Sequence, residues 1–282
     1  MEQPAGRPRA TAFVPGHITG FFSAHPAPEP ARAGSRGAGV ALSDGVTVTV
    51  TPGSGTWLNG EAVDIAPVDT VVDRLGVAAS VDAETPLPIG AGFGVSGAAA
   101  LGTALAANAA FDCGKTENEL VEVAHCAEVE AGTGLGDVVA QARGGLPIRL
   151  DPGGPRHGSL DGLPARPRVE YVTFGELSTE TVLSGDTDRL SAAGENALDR
   201  LLAEPSVGEF MLACREFAAD AELLTGDVNG AVAAVEAAGG QAAMAMLGRT
   251  VFATGTGLSD AGYDPSVCRV DAAGGRLVDS EN

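Results

Sequence analysis

The segment PLPIGAGFGVSGAAALGTALAAN, Pro86 to Asn108, sets Gly90, Gly92, Gly94 and Gly97 directly ahead of a run of small residues. Val77 to Glu84 alternates as a strand does and runs into Pro86 and Pro88, so the local order is strand, glycine loop, helix. Glycines let backbone N–H groups approach an anion, and the positive end of the following helix favours phosphate there. The alternative is close helix packing through small side chains. Gly92-x-Gly94-x-x-Gly97 formally satisfies the dinucleotide fingerprint. That fingerprint needs a second strand ending in an acid about 20 residues on, whereas this chain passes through Asp112-Cys113-Gly114 into another helix. No Gly-Lys-Ser or Gly-Lys-Thr closes the loop, which removes the Walker A reading.

Around the loop, a first strand is expected over Ala10 to Val14, broken at Pro15-Gly16. Val40 to Leu42 and Val46 to Val50, joined by Ser43-Asp44-Gly45, read as a hairpin. Helices are expected over Val68 to Leu75, stopped by Gly76, and over Thr116 to Glu130, where Thr116 and Glu119 form a capping box. The glycine- and proline-rich stretch Asp151 to Pro167 marks a domain break. Beyond it, Val169 to Phe174 reads as a strand, Asp188 to Leu202, Val207 to Ala219 and Val228 to Ala238 as helices, and Ala242 to Thr254 as two strands around Gly248. The expected organisation is α+β in two domains, 10–152 and 168–282, after a disordered tail over 1–9.

Thirty-seven acidic against 17 basic residues give a net charge of −20, and Lys115 is the only lysine. Such a chain makes a poor partner for nucleic acid. Cys113, Cys126, Cys214 and Cys268 form no CxxC pair and read as buried free thiols. The longest small-residue run, Ala98 to Ala110, is shorter than the ~20 residues of a membrane span. A soluble cytoplasmic protein without a membrane partner is therefore expected. Acidic residues spread along the whole chain match the surfaces of salt-adapted proteins, and the Debye length shrinks from about 10 Å at 0.1 M salt to about 3 Å at 1 M. The melting temperature is accordingly predicted to climb steeply between dilute buffer and molar potassium chloride; a salt-insensitive melting curve would remove surface repulsion as the determinant of stability.

PIGAGFGVSGAAA resembles the second motif of the galactokinase, homoserine kinase, mevalonate kinase and phosphomevalonate kinase (GHMP) superfamily, Pro-x-x-x-Gly-Leu-Gly-Ser-Ser-Ala-Ala. FVPGHITGFF from Phe13, AGSRGAGVAL from Ala33 and MAMLGRTVFA from Met244 are most similar to the archaeal pantoate kinases within it. The resemblance covers essentially the whole chain after residue 9. It departs from the superfamily at Val95, which replaces the first serine, at the third motif, which has Gly248 and a threonine in place of several glycines, and at His17, which replaces a lysine of many mevalonate kinases.

The resemblance implies a GHMP-kinase-like fold with its active site in the inter-domain cleft, and ATP- and Mg²⁺-dependent phosphorylation of pantoate to 4-phosphopantoate in coenzyme A synthesis. The alternatives are a kinase of mevalonate or homoserine, or a catalytically silent nucleotide-binding protein. By resemblance Gly90, Gly92, Gly94, Val95, Ser96 and Gly97 would hold the nucleotide, Ser96 and Glu128 the Mg²⁺, and Asp137 would act as base or electrostatic partner for the attacking hydroxyl. Ser35, His125, Arg149, Thr179 and His17 would contact pantoate, Arg149 as the bidentate clamp on its carboxylate. Thr181 competes with Thr179, and His17 can equally serve only a turn. A homodimer is the family expectation.

Overall fold

The computed structural model describes residues 8–176, 187–224, 226–246 and 248–279. Two sheets carry the α+β fold. In the larger, strands β1 (Ala10–His25) and β2 (Gly34–Pro52) form a long antiparallel pair. On the far side of β2 follow β5 (Ala79–Glu84), β3 (Thr56–Leu58), which runs parallel to β5, and β4 (Glu61–Val63). The arm β6 (Leu146–Asp151) and β7 (Ser159–Leu163) branches from β2, and β12 (Arg276–Val278) lies on the outer side of β1. The smaller antiparallel sheet has the order β11 (Ser266–Arg269), β8 (Arg168–Glu176), β10 (Gly248–Thr254), β9 (Ala242–Ala245).

Helix α1 (Ala66–Leu75) ends on Gly76 in the left-handed conformation, and α3 (Glu117–Ala131) begins with the capping box of Thr116 and Glu119. Helix α2 (Val95–Phe111) is packed between β1 and β2 on one side and α1 and α3 on the others. That setting explains its composition: a helix covered nearly all round has no polar face to present. The short α4 (Asp137–Arg143) follows; α5 (Thr187–Ala203) packs on β1, β2 and α6 (Val207–Asp220), α6 bridges β1 and β9, and α7 (Gly226–Ala237) and α8 (Gly257–Asp260) accompany the smaller sheet. One apolar core joins the two sheets, with Phe21 and Phe22 of β1 against Phe210 and Phe217 of α6. No helix among the described residues is long and apolar enough to cross a membrane.

Three expectations change. Pro15-Gly16 does not end β1, and Ser43-Asp44-Gly45 is not a hairpin turn; both lie inside the β1–β2 ladder, where Pro15 pairs with Gly45 and His17 with Ala41. Two steps along β1 thus oppose four along β2. This bulge and a second between Thr19 and Phe21 free backbone groups for distant partners: His17 N–H donates to Phe93 C=O, Met246 N–H to Thr19 C=O and Ala41 N–H to Gly145 C=O. Gly45 is needed for closeness, since a Cβ there would sit 2.2 Å from the Val14 carbonyl oxygen. The stretch 151–167 contains β7, paired with β6, and residues 276–278 join the larger sheet as β12. The cysteines are all free, but only Cys214 and Cys268 are buried.

Candidate active site

A cavity of about 270 Å³ opens where the glycine loop meets strands β1 and β3 of the larger sheet and Met246, just past β9. Gly90, Gly92, Gly94, Val95 and Ser96 form one side, Thr19, Thr133 and Asp137 another, and Leu58, Ile65 and Ile89 an apolar wall. Gly94 caps α2 with φ 62°, a conformation that a side chain would disfavour, and no acidic residue occupies the first turn of α2. The amino end of α2 therefore presents free N–H groups and uncompensated positive potential to the cavity. The loop is braced by the smaller sheet: Thr250 Oγ1 donates to Ala91 C=O at 2.9 Å, and the rings of Phe93 and Tyr171 lie 4.7 Å apart. Gly97 sits one turn inside α2, facing Gln141.

Two carboxylates approach this end. Glu128 lies in the last turns of α3 and is 2% exposed, while Asp137 opens α4 with its side chain 17% exposed. Gly134, in the turn between them, leaves room for both, since a Cβ on it would sit 2.5 Å from Glu128 Oε2 and 3.6 Å from Asp137 Oδ2. Ser96 Oγ donates to Glu128 Oε2 at 3.3 Å, whereas Glu128 Oε1 is buried with no partner. Burial, and then the charge of Asp137, push the Glu128 carboxyl up to about 7.

Asp137 is treated in the opposite way. Burial would raise its carboxyl, but the hydrogen bond from His17 and the nearby positive charge of Arg149 outweigh it and hold the group below the ordinary carboxylate range. His17 Nδ1 lies 2.6 Å from Asp137 Oδ1, and Thr19 Oγ1 donates to the same oxygen at 3.4 Å. Burial keeps the His17 imidazole below its usual value despite the pull of Asp137, so a neutral ring donates through Nδ1–H. One buried carboxyl is thus disposed toward a proton or a cation, and its neighbour stays ionised and fixed in direction.

Behind Asp137, Arg149 Nε donates to Ser35 Oγ at 3.2 Å, and Arg149 Nη1 is buried without a partner. Burial lowers this guanidinium to about 10, which leaves it charged at neutral pH. Ser35 and Arg149 meet at Gly136, the residue before Asp137. His125 is elsewhere engaged: Nε2 donates to Ala33 C=O at 2.9 Å, which ties down the segment leading to Ser35. Burial holds His125 below its usual value as well. Thr179 and Thr181 lie outside the described residues. Thr19 and Gln141 were not singled out from sequence, yet both had a signal: Thr19 follows His17 by two along a strand, and Gln141 follows Asp137 by four along a helix.

Among the described residues no three His, Cys, Asp or Glu side chains gather closely enough to enclose a metal ion by themselves. A cation that keeps most of its water is what this donor set suits: one buried carboxylate with an unpartnered oxygen, one serine hydroxyl, and oxygens from a bound phosphate chain.

The GHMP kinases N terminal domain family matches residues 66–145. The chain is similar to a pantoate kinase of Thermococcus kodakarensis, 38% identical over 260 residues and covering 86% of each protein. A pantoate kinase of Methanospirillum hungatei is 34% identical, with 88% of each covered. Among solved structures, one described as a phosphotransferase related to the CoA biosynthesis pathway superposes with a TM-score of 0.86 at 32% identity, covering 96% of this chain and 98% of that one. Mevalonate diphosphate decarboxylase from Staphylococcus aureus shares the fold, with a TM-score of 0.69 at 15% identity over 97% of this chain and 99% of that one.

Proposed function

This chain belongs to the pantoate kinases of the GHMP kinase family, and from that membership we propose how its residues divide the reaction. The protein is an ATP-dependent kinase that phosphorylates pantoate to 4-phosphopantoate, a step of coenzyme A synthesis. The observation that carries the assignment of roles is the pairing of an ionised, hydrogen-bonded Asp137 with a buried Glu128 at the mouth of a glycine-lined helix end.

Phosphoryl transfer requires positioning and charge neutralisation more than covalent help. In this reading Gly90, Gly92, Gly94, Val95 and Gly97 shape the phosphate cradle, and the N–H groups opening α2 face the phosphate oxygens. Ser96 and Glu128 would hold Mg²⁺, which supplies the countercharge for the transferring group. Asp137 accepts the proton of the pantoate hydroxyl as its oxygen bonds to the γ-phosphorus and the bridging oxygen leaves with ADP, and His17 and Thr19 aim the accepting carboxylate. Arg149 offers Nη1 to the pantoate carboxylate with Ser35 beside it, and His125 keeps Ser35 in place through Ala33. Thr179 remains assigned to the substrate by resemblance alone. The two sheets support a division into an ATP-binding domain and a second domain across a cleft. A homodimer and a cytoplasmic location are proposed from the family, and salt adaptation from the charge of −20.

Arg149→Lys tests the substrate assignment, because lysine keeps the charge and loses the planar fork. The KM for pantoate is expected to rise by about tenfold or more while the KM for ATP stays put. An unchanged pantoate KM in initial-rate measurements would place the substrate elsewhere.

A further inference from the structure

Gln141 is fully buried, with one polar side-chain atom satisfied and the other not. Its Nε2 donates to Gly94 C=O at 2.9 Å, while Oε1 has no hydrogen-bond partner. The residue lies one turn beyond Asp137 on α4, so the two side chains project from one helix face. Its own carbonyl accepts from Gly275 N–H at 3.0 Å, which anchors this turn to the segment leading into β12. A buried amide with an empty acceptor costs stability that an apolar side chain of the same size would avoid. Folding alone therefore gives no reason for a glutamine here.

The Gly94 peptide supplies one. Gly94 has no side chain with which to cap α2, and its φ of 62° is one that glycine can leave as easily as it enters. In a planar trans peptide the C=O and the following N–H point in opposite directions. A donor that holds the Gly94 carbonyl from the α4 side consequently turns the Val95 N–H away from α4, and both residues line the cavity. The carbonyl also accepts from Ala98 N–H at 3.0 Å, so Gln141 adds a second, fixing bond to an oxygen with two lone pairs.

We propose that Gln141 is a positioning residue that fixes the phosphate loop against the helix carrying Asp137, so that phosphoryl donor and base are set relative to each other by one side chain. The proposal rests on the reading of the glycine loop as a nucleotide cradle. Loss of the amide donor loosens the first turn of α2 and weakens ATP binding, and it leaves the pantoate clamp at Arg149 untouched.

The test is titration calorimetry of the full chain with Mg-ATP in the absence of pantoate, for the wild type and Gln141→Met, with Tm and the two KM values measured beside it. The Met variant is expected to bind ATP about tenfold more weakly, to show a raised KM for ATP and an unchanged KM for pantoate, and to melt no lower than the wild type. Should Gln141→Met not fold, Gln141→Leu, which also removes the donor without adding a charge, is read in the same way. A wild type that fails to bind ATP would overturn the cradle itself. Wild-type ATP affinity in a folded variant, or a lowered Tm with ATP affinity intact, would overturn the role of Gln141 alone.

Discussion

Asp137→Asn is expected to give a folded protein whose kcat has fallen by about a thousandfold, within the range by which a positioned base accelerates proton transfer. The variant keeps an oxygen to accept from His17 Nδ1–H and removes the negative charge, so the hydrogen bond at 2.6 Å has a successor and the basicity does not. Asp137→Ala should lose turnover to the same degree and some stability in addition, because it leaves the buried His17 Nδ1–H with only the long contact to Thr19 Oγ1 at 3.4 Å. The KM values for ATP and pantoate should move little in Asp137→Asn, as befits an interaction made mainly in the transition state. Steady-state kinetics on protein verified as folded decide the point; ordinary turnover in Asp137→Asn would end the assignment of the base.

The second large effect concerns stability. The Glu128 carboxyl titrates at about 7 in the folded protein against an ordinary value of 4.5. A carboxyl raised in this way binds its proton more readily in the folded than in the unfolded chain, so stability is lost as pH rises from about 4.5 to about 7 and stays lost above it. The difference amounts to something on the order of 3 kcal/mol for a side chain that is almost wholly enclosed. Glu128→Gln keeps the shape and carries no charge at any pH. Its Tm should match the wild type near pH 4.5 and exceed it by several degrees at pH 8, while its turnover collapses because the proposed cation ligand is gone. Mg-ATP should narrow the gap at pH 8 by stabilising the wild type more than the variant. Melting curves across this pH range check it, and parallel curves for the two proteins would contradict the burial of an unfavourable charge.

Both predictions rest on residues that sequence could identify and on contacts that it could not. The glycine loop, the helix after it and the capping box at Thr116 follow local rules, and α1, α2 and α3 lie where those rules put them. The β1–β2 ladder escaped because Pro15-Gly16 and Ser43-Asp44-Gly45 have the composition of turns, whereas the bulge that absorbs them is stabilised by Phe93, Gly145 and Met246, far away in the chain. The site shows the same limit. His17 and Asp137 are 120 residues apart, and no spacing rule announces that one aims the other. His125 is assigned to the substrate by resemblance alone; the carbonyl of Ala33 that occupies its Nε2 belongs to a loop with no local tie to the helix. Gln141 has only its spacing from Asp137 to announce it, and the Gly94 carbonyl that its amide holds lies across the fold.

The most direct measurement offers one preparation of the protein, with ATP and Mg²⁺ in molar salt, an equal mixture of pantoate, mevalonate and homoserine, and follows the phosphorus spectrum of the products, with Asp137→Asn run in parallel. Phosphopantoate should accumulate with the wild type, with no comparable phosphorylation of the other two alcohols, and should be almost absent with the variant. Mevalonate or homoserine phosphorylated as fast as pantoate, or phosphopantoate formed by folded Asp137→Asn at the wild-type rate, would contradict the account.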